Sequence, residues 1–482
     1  MKKGTLVAAA ALAIAGLASC TNENNPENQG VNPAKGEETY ASFNISVNGK
    51  GTRATDPGLV EEQAISHVEV YVFAGGILEA HQLTEVTNGN RTIPVKISTG
   101  EKVVYVIAAP EAEDQQLALK KVGVNWTVTD NETKLVDFEK DVFDALKSDI
   151  AQSEHFVMIG RSEYAIVKCT YAECENGTKN KVGVTVDRAS AKVLVRYNSE
   201  SVNIHPSLNA DVENAVFAMC QQAKQMVLTE YSFLQNRNGG VFTPGGETKA
   251  NGGNADTKGT LSGYVSMPDT FDEGFFKNAV SNWTAAASID DFEYCAESRN
   301  AQPVTGNTTF ALLRVDLTPN AVYSRAAKSA QTGKVDLTKA NYTKGSDFYT
   351  VCKQDTKTGT LIHASDLDYK ILYFTSDAAA KQYITAKGLT SEWKSYKFDK
   401  GQVYYRVNIK TTESDDLSEK YRVERNNYYQ IDVTEIKALG AKNGDDVIPT
   451  DPDTPVDPEA WISTEITVKD WTVIEMGNTV LQ

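Results

Sequence analysis

Residues 41–47, Ala41-Ser-Phe-Asn-Ile-Ser-Val47, alternate apolar and polar side chains without a break. A period of two puts Ala41, Phe43, Ile45 and Val47 on one face and Ser42, Asn44 and Ser46 on the other, which predicts a strand with one buried face. The pattern returns near the other end of the chain. There Ile462, Thr464, Ile466 and Val468 alternate with Ser463, Glu465, Thr467 and Lys469, and Trp471 and Val473 follow. Between them, residues 67–73, 103–108, 182–195, 310–317, 403–409 and 428–436 are β-branched and aromatic runs, several bounded by Gly or Pro, and read as more strands. Helix signals are few. Leu135, Phe138, Val142, Phe143, Leu146 and Ile150 share one helical face and predict a helix over 135–150. A second is expected over 377–387, with Asp377 as its cap. The chain therefore reads as all-β with minor helix. A polar, proline-containing break at 198–209 suggests two β-sandwiches, residues 54–203 and 204–440.

Composition narrows the function. The 482 residues hold 48 Lys plus Arg against 64 Asp plus Glu, a net charge of −16 with no basic run. Nucleic acid is an unsuitable partner, because binding it requires clustered cations to neutralise phosphates. Nor does the sequence suggest an enzyme or a cofactor: it has no Gly-x-Ser-x-Gly elbow, no His-Glu-x-x-His and no phosphate-binding glycine loop. His67, His81, His155, His205 and His363 are scattered, and Asp290-Asp291 and Asp415-Asp416 stand in polar contexts that read as solvated surface. No Cys-x-x-Cys or histidine at ligand spacing points to zinc.

The first twenty residues read as an address. Met1-Lys2-Lys3 is basic, residues 5–17 are apolar but too short to span a bilayer, and Leu17-Ala18-Ser19-Cys20 closes the run. This resembles the lipobox of bacterial lipoproteins. Residues 1–19 would be the signal peptide, with cleavage between Ser19 and Cys20 and a lipid such as palmitate on Cys20. Five cysteines then remain, too few and too odd in number for a disulfide framework, although Cys169 and Cys174 are close enough in sequence to bridge a local hairpin. Residues 48–58 contain three glycines, a proline and Arg53-Ala54, an exposed loop that an arginine-specific protease would cut after Arg53, with Lys50 the lesser candidate. Residues 20–53 would leave with that cut. Residues 1–53 carry five bases and four acids, so the remainder still holds −17.

Two stretches lie outside the core pattern. Residues 236–260 carry seven glycines and read as a long exposed loop. Residues 441–460 place Pro449, Pro452, Pro455 and Pro458 at every third position, interspersed with Asp445, Asp446, Asp451, Asp453 and Asp457. Such a polyproline spacer would stay solvated and reach about 60 Å at ~3.1 Å per residue. It leads to the strand in residues 461–482, which must add to a sheet. That sheet is either its own domain's or another chain's open edge.

These pieces have a family resemblance. Val184-Thr-Val-Asp-Arg-Ala-Ser-Ala-Lys-Val193, Gly306-Asn-Thr-Thr-Phe-Ala-Leu-Leu-Arg-Val-Asp-Leu-Thr-Pro319, Gly345-Ser-Asp-Phe-Tyr349, Val423-Glu-Arg-Asn-Asn-Tyr-Tyr429 and the closing Ile462-Ser-Thr-Glu-Ile-Thr-Val-Lys-Asp-Trp-Thr-Val473 occur in the order found in the fimbrillins of type V pili. The similarity is nearest to the shaft subunits of Mfa-type (short) fimbriae. Asp187 and Asp470 depart from residues common in that family, Glu and Pro respectively. The resemblance implies two tandem transthyretin-like sandwiches with a C-terminal donor-strand extension, exported as an outer-membrane lipoprotein and matured after Arg53. Loss of Ala41, Phe43, Ile45 and Val47 would open a groove. The next subunit's Ile462, Thr464, Ile466, Val468, Trp471 and Val473 would fill it, giving a head-to-tail homopolymer at the cell surface. Anchor and tip subunits, the maturation protease and adhesion in virulence are the implied partners and outcome. The alternatives are a tip or anchor subunit, or a surface lipoprotein that binds glycan and never polymerises.

Overall fold

The computed structural model describes residues 36–472 other than 48–55, 110–133, 145–150, 228–270, 355–360, 448–453, 457–461 and shorter stretches. Strands dominate it, and one continuous apolar core runs through most of them. The first strand, β1 (Glu38–Val47), covers the alternating run and buries Ala41, Phe43 and Ile45 almost completely. Ser42 is buried as well, so the polar face is only partly solvated. A two-residue strand, β2 (Asp56–Pro57), follows.

An eight-stranded sheet contains β1 together with β3 (His67–Ala74), β4 (Ile77–Thr87), β5 (Val95–Ser98), β6 (Gly100–Ala109), β7 (Met158–Ile166) and β8 (Lys181–Arg188). Its order is β8-β7-β6-β3-β4, then Arg91–Thr92, β1 and β5, and β8 returns to pair with β1. The pairing of β7 with β8 needs Gly160, where a Cβ would lie 2.2 Å from the Thr185 carbonyl oxygen. β1 changes partner midway. Glu38 to Ala41 pair antiparallel with β5, and Ser42 to Val47 pair parallel with β8.

The apolar run 182–195 is two strands in two sheets. At Ala189, whose N–H donates to the Val157 carbonyl at 2.8 Å, the chain leaves β8 and enters β9 (Ser190–Arg196). A second sheet has the order β11-β9-β14-β15-β2 once β10 (Ala210–Cys220), β11 (Glu293–Ala296), β12 (Phe310–Pro319), β13 (Gln402–Asn408), β14 (Asn427–Ile436) and β15 (Ile462–Thr472) are numbered. A third sheet joins β10, β12 and β13. A fourth lies within residues 322–398 and is backed by a helix, α2 in chain order after the one-and-a-half-turn α1 (Tyr171–Glu175), covering Asp377–Lys387.

Two helix expectations change. Ser376, not Asp377, caps α2: its hydroxyl accepts the Ala379 N–H, while Asp377 occupies the first turn and pairs with Lys381 at 2.6 Å. Of the helix expected over 135–150, the described residues hold only Leu135–Phe138, and Val142–Asp144 is a strand on Gln225–Val227; residues 145–150 lie outside the described residues. Phe138 explains the early stop. It is fully buried with its ring about 5 Å from those of Tyr71, Phe73 and Tyr105, so this aromatic plug overrides helical spacing.

Candidate functional site

The first part of the site is the seat of β1. Phe43 and Ile45 enter the core, and the Phe43 N–H donates to Thr92 Oγ1 at 3.0 Å. The other flank is a clasp formed by residues 167–180. Thr39 Oγ1 donates to the Val167 carbonyl at 3.0 Å and accepts the Cys169 N–H at 2.8 Å. The Asn180 side-chain amide donates to the Tyr40 carbonyl at 2.8 Å, and the Ser42 N–H donates to the Asn180 carbonyl at 3.0 Å. Asn180 adopts a positive φ of 49°, a turn conformation that asparagine tolerates better than most residues. Within the clasp, α1 begins with a capping box between Thr170 and Glu173.

Cys169 and Cys174 belong to this clasp as two buried thiols, not as a disulfide. Cys174 lies on the buried side of α1, whereas the Cys169 thiol donates to the Tyr40 carbonyl at 3.2 Å. The helix and the turn to β1 therefore give the two sulfurs separate environments.

The second part is β15. It runs antiparallel to β14 from Ile462 opposite Ile436 to Asp470 opposite Asn427, with one irregularity between Val433 and Glu435. Ile466 packs against the main core. On the other side of β15, Asp56 and Pro57 of β2 pair parallel with Trp471 and Thr472. Thus β15 is an interior strand of this chain's own second sheet. The spacer before it is tied down at several points. Ala441 exchanges hydrogen bonds with Tyr404 at 2.9 Å, Val447 is buried, and the Thr454 carbonyl accepts the Thr305 N–H at 2.8 Å. These contacts replace the freely solvated course expected for the described parts of 441–460.

Between the two strands lies a buried polar junction, where distant motif residues meet. Glu62 is fully buried; its Oε1 is 2.7 Å from Lys192 Nζ and accepts the Tyr294 hydroxyl at 2.7 Å. Lys192 is also 3.6 Å from the centroid of the Phe292 ring, a cation–π contact made stronger by burial. Arg188 is fully buried, donating through Nε to the Glu62 carbonyl at 3.0 Å and through a terminal nitrogen to Asn426 Oδ1 at 3.2 Å. Asn426 returns a hydrogen bond to Asp187 at 2.8 Å. Burial pushes the Arg188 guanidinium down to about 10, opposed by the Glu62 charge. Burial likewise raises the Tyr294 hydroxyl well above its ordinary value, with Glu62 adding to the effect. Beside this junction, Arg425 and Glu297 form a buried pair at 2.5 Å. The Val184–Val193 and Val423–Tyr429 motifs thus serve the same structural end, which is to join the first sheet to the second.

Sequence reasoning named Ala41, Phe43, Ile45 and Val47, and all four lie in β1. Ile462, Thr464, Ile466, Val468 and Trp471 lie in β15. Ser19, Cys20, Arg53, Ala54, Val473 and the loop 236–260 fall outside the described residues. Glu62 and Tyr294 were not singled out. A lone glutamate ahead of a strand carries no pattern, and its partners Arg188 and Tyr294 lie 126 and 232 residues away.

Residues 396–476, which include β13, β14 and β15, match the family described as major fimbrial subunit protein type IV, fimbrillin, C-terminal. This C-terminal region is therefore similar to the corresponding part of the fimbrillins. Similar solved structures include a fimbrilin (FimA) from Porphyromonas gingivalis, 14% identical over 90% of this chain and 98% of that one, with a TM-score of 0.45. A putative cell adhesion protein from Bacteroides eggerthii is 14% identical over 91% and 98%, at 0.41. The tip fimbrial protein Mfa3 from Porphyromonas gingivalis is 11% identical over 90% and 100%, at 0.35. No curated protein matches the chain.

Proposed function

We propose that this protein is a structural, non-catalytic subunit of a type V pilus, built as tandem sandwiches over 54–203 and 204–440 and polymerised by strand exchange. The observation that carries this reading is that the fimbrillin region extends through β15, the strand that follows the proline spacer. The position of β1 supports it: a strand with partners on both sides precedes the arginine-containing segment 48–58. Export would proceed through lipid on Cys20 in the outer membrane, and a cut after Arg53 would release lipid and β1 together.

Phe43 and Ile45 leave buried pockets behind, each worth ~1.5–3 kcal/mol to whatever apolar side chain refills it. An unpaired edge above those pockets invites another strand. Insertion of a neighbour's Ile462, Ile466 and Val468 is head-to-tail and does not close, so it produces a filament. The shaft is the preferred position because one chain combines a cut site and a spacer-borne strand. Anchor and tip subunits would then be its partners, and adhesion the biological result. The acidic charge would repeat along the fibre and discourage side-to-side bundling at low salt.

A second reading has one observation in its favour: β15 already pairs with its own β14 along nearly its whole length. In that case the protein stays a monomeric, ligand-binding surface lipoprotein. N-terminal sequencing of cell-surface material separates the two. An N-terminus at Ala54 is expected for the pilus subunit, whereas acylated Cys20 as the sole form would refute it. Deleting residues 461–482 should abolish high-molecular-weight ladders, and ladders that survive would exclude this strand as the donor.

A further inference from the structure

Among the described residues, Leu367 and Tyr369 are the most exposed large apolar side chains, at 93% and 81%. One such residue on a surface needs no explanation, but two on a single rigid turn do. The turn is braced from within. Asp366 Oδ1 accepts the Asp368 and Lys370 N–H groups, both at 2.9 Å, and the Asp366 N–H donates to the Lys370 carbonyl at 2.9 Å. Tyr369 takes a positive φ of 61°, which is uncommon for a bulky side chain. The backbone therefore holds both side chains out in advance, and little ordering cost remains for a contact to meet.

The turn has a defined place in the fold. The Ile371 N–H donates to the Ser207 carbonyl at 2.8 Å, just after Ile204 pairs with Ile436 at the end of β14. β9 and β14 run parallel towards that end from the Ala189 crossing. The turn thus stands past the end of the second sheet remote from the crossing. The clasp occupies the corresponding far end of the first sheet: β7 and β8 pair at Met158 and Arg188 beside the crossing, and residues 167–180 join their other ends. The clasp also shows apolar groups to solvent. Val167 is 54% exposed and Tyr171 43%, with the Tyr171 ring edge-on to that of Tyr40 at 5.5 Å. Charge differs in sign between the two places. Residues 167–181 carry Lys168, Lys179 and Lys181 against Glu173 and Glu175, whereas 366–370 carry Asp366 and Asp368 against Lys370. Lys168 already holds Glu37 at 2.6 Å and Lys179 holds Glu173 at 2.8 Å, so Lys181 is the clasp's spare cation.

We propose that the turn 366–370 of one copy docks on the clasp of a second copy, with Leu367 and Tyr369 against Val167 and Tyr171 and Asp368 towards Lys181. The two faces are unlike and lie at far ends of the sheets, so the contact is head-to-tail and repeats without closing. Two side chains a side make a small interface, weak between free chains and effective once copies are tethered. Its purpose, to align successive subunits, rests on the pilus-subunit reading; the contact itself needs no strand exchange.

Site-directed cross-linking tests this on the full, uncut chain in a Cys20→Ser background, where the five remaining cysteines are buried. Tyr369→Cys and Tyr171→Cys chains are mixed and treated with a short bismaleimide. The mixture should form dimers at least tenfold faster than either variant alone, or than Tyr369→Cys mixed with Leu417→Cys, an exposed position on another turn. A mixture no faster than the Leu417→Cys pairing would overturn the proposal. So would self-linking of either single variant at the rate of the mixture, which would mean a like-to-like contact. If Tyr369→Cys disturbs its turn, Leu367→Cys replaces it, and Val167→Cys replaces Tyr171→Cys on the same terms. β1 stays attached throughout, so cross-linking reports the docking contact, while the ladders lost on deleting 461–482 report strand exchange. Either can fail without the other.

Discussion

Replacing Phe43 by alanine tests whether side-chain burial is what keeps β1 in place. Phe43 is fully buried in the main core, and its backbone N–H bond to Thr92 Oγ1 does not involve the ring. Truncation therefore removes packing and leaves the ladder intact. A buried Phe→Ala change costs ~3–5 kcal/mol, and each ~1.4 kcal/mol is tenfold in an equilibrium. The affinity of the sheet for β1 should fall by about a hundredfold to a few thousandfold. To measure it, the purified chain is cut after Arg53 in vitro, and the off-rate of the N-terminal fragment is followed by rapid gel filtration. If the strand leaves before anything replaces it, nearly the whole loss appears in the off-rate. Ser46→Ala is the matched control: Ser46 is exposed and only shares a hydrogen bond with Thr185 at 3.2 Å, so its effect should stay within ~0.5 kcal/mol. Equal off-rates for Phe43→Ala and Ser46→Ala would refute the claim that the pockets, and not the backbone ladder, retain β1.

Two further outcomes follow from buried groups. The Cys169 thiol is covered by Thr39 and Tyr40 of β1, so a thiol reagent should label it slowly in the intact chain and rapidly once the cut fragment has left. Cys352 should stay unlabelled throughout, being fully buried in another sheet with its thiol pushed up to about 12; equal labelling of Cys169 before and after loss of β1 would contradict the seat described above. Burial also pushes the His363 imidazole down to about 4, below an ordinary value near 6.5. The unfolded chain then takes up this proton first, so stability is fully present above about pH 6.5 and declines as the pH falls towards about 4. Urea titrations of His363→Asn should show a flatter pH dependence across that window, and an unaltered slope would show that His363 is not its source.

How much of this was legible in the sequence depends on the length scale of the cause. β1, β3, β6 and β15 were readable because alternation and β-branched runs are local and the sheet enforces them. The split at Ala189 was hidden because 182–195 is apolar throughout, and nothing within it marks a transfer between sheets. Over its described residues, the helix expected at 135–150 gave way for a related reason. Apolar residues at helical spacing also suit a turn that drives Phe138 among three other aromatic rings. The junction was half visible: its motifs carried the family resemblance, but not the reason for Arg188 or Asn426. That reason is Glu62 and the cost of leaving buried polar groups unpaired, which no local pattern records. Removing one member of such a buried set is costly, while the intact set fixes one geometry. Invariance of shape at the sheet-to-sheet crossing is a sufficient physical purpose for those residues.

The pairing of β15 with its own β14 bears directly on what could drive assembly. In the closed chain both β1 and β15 are interior strands, each with partners on two sides. On the proposed reading, moving β15 into a neighbour's vacant seat gives up its pairing with β14 and β2 for pairing with β8 and β5. Backbone hydrogen bonds are exchanged one for another, so their number cannot be the driving force. What changes on cleavage is competition. While β1 is covalently attached, it occupies its seat intramolecularly, at an effective concentration in the millimolar range or above. No separate subunit matches that at its own concentration. Once residues 48–58 are cut, a departed β1 is diluted into the surroundings and that advantage is gone. On that reading the free energy for assembly would be the refilling of the Phe43 and Ile45 pockets less the contacts Ile466 gives up in its own core, and the irreversibility would come from the cut peptide bond. On this reading a strand with good pairing in its own chain need not oppose polymerisation: it must only be released about as readily as the empty seat needs filling.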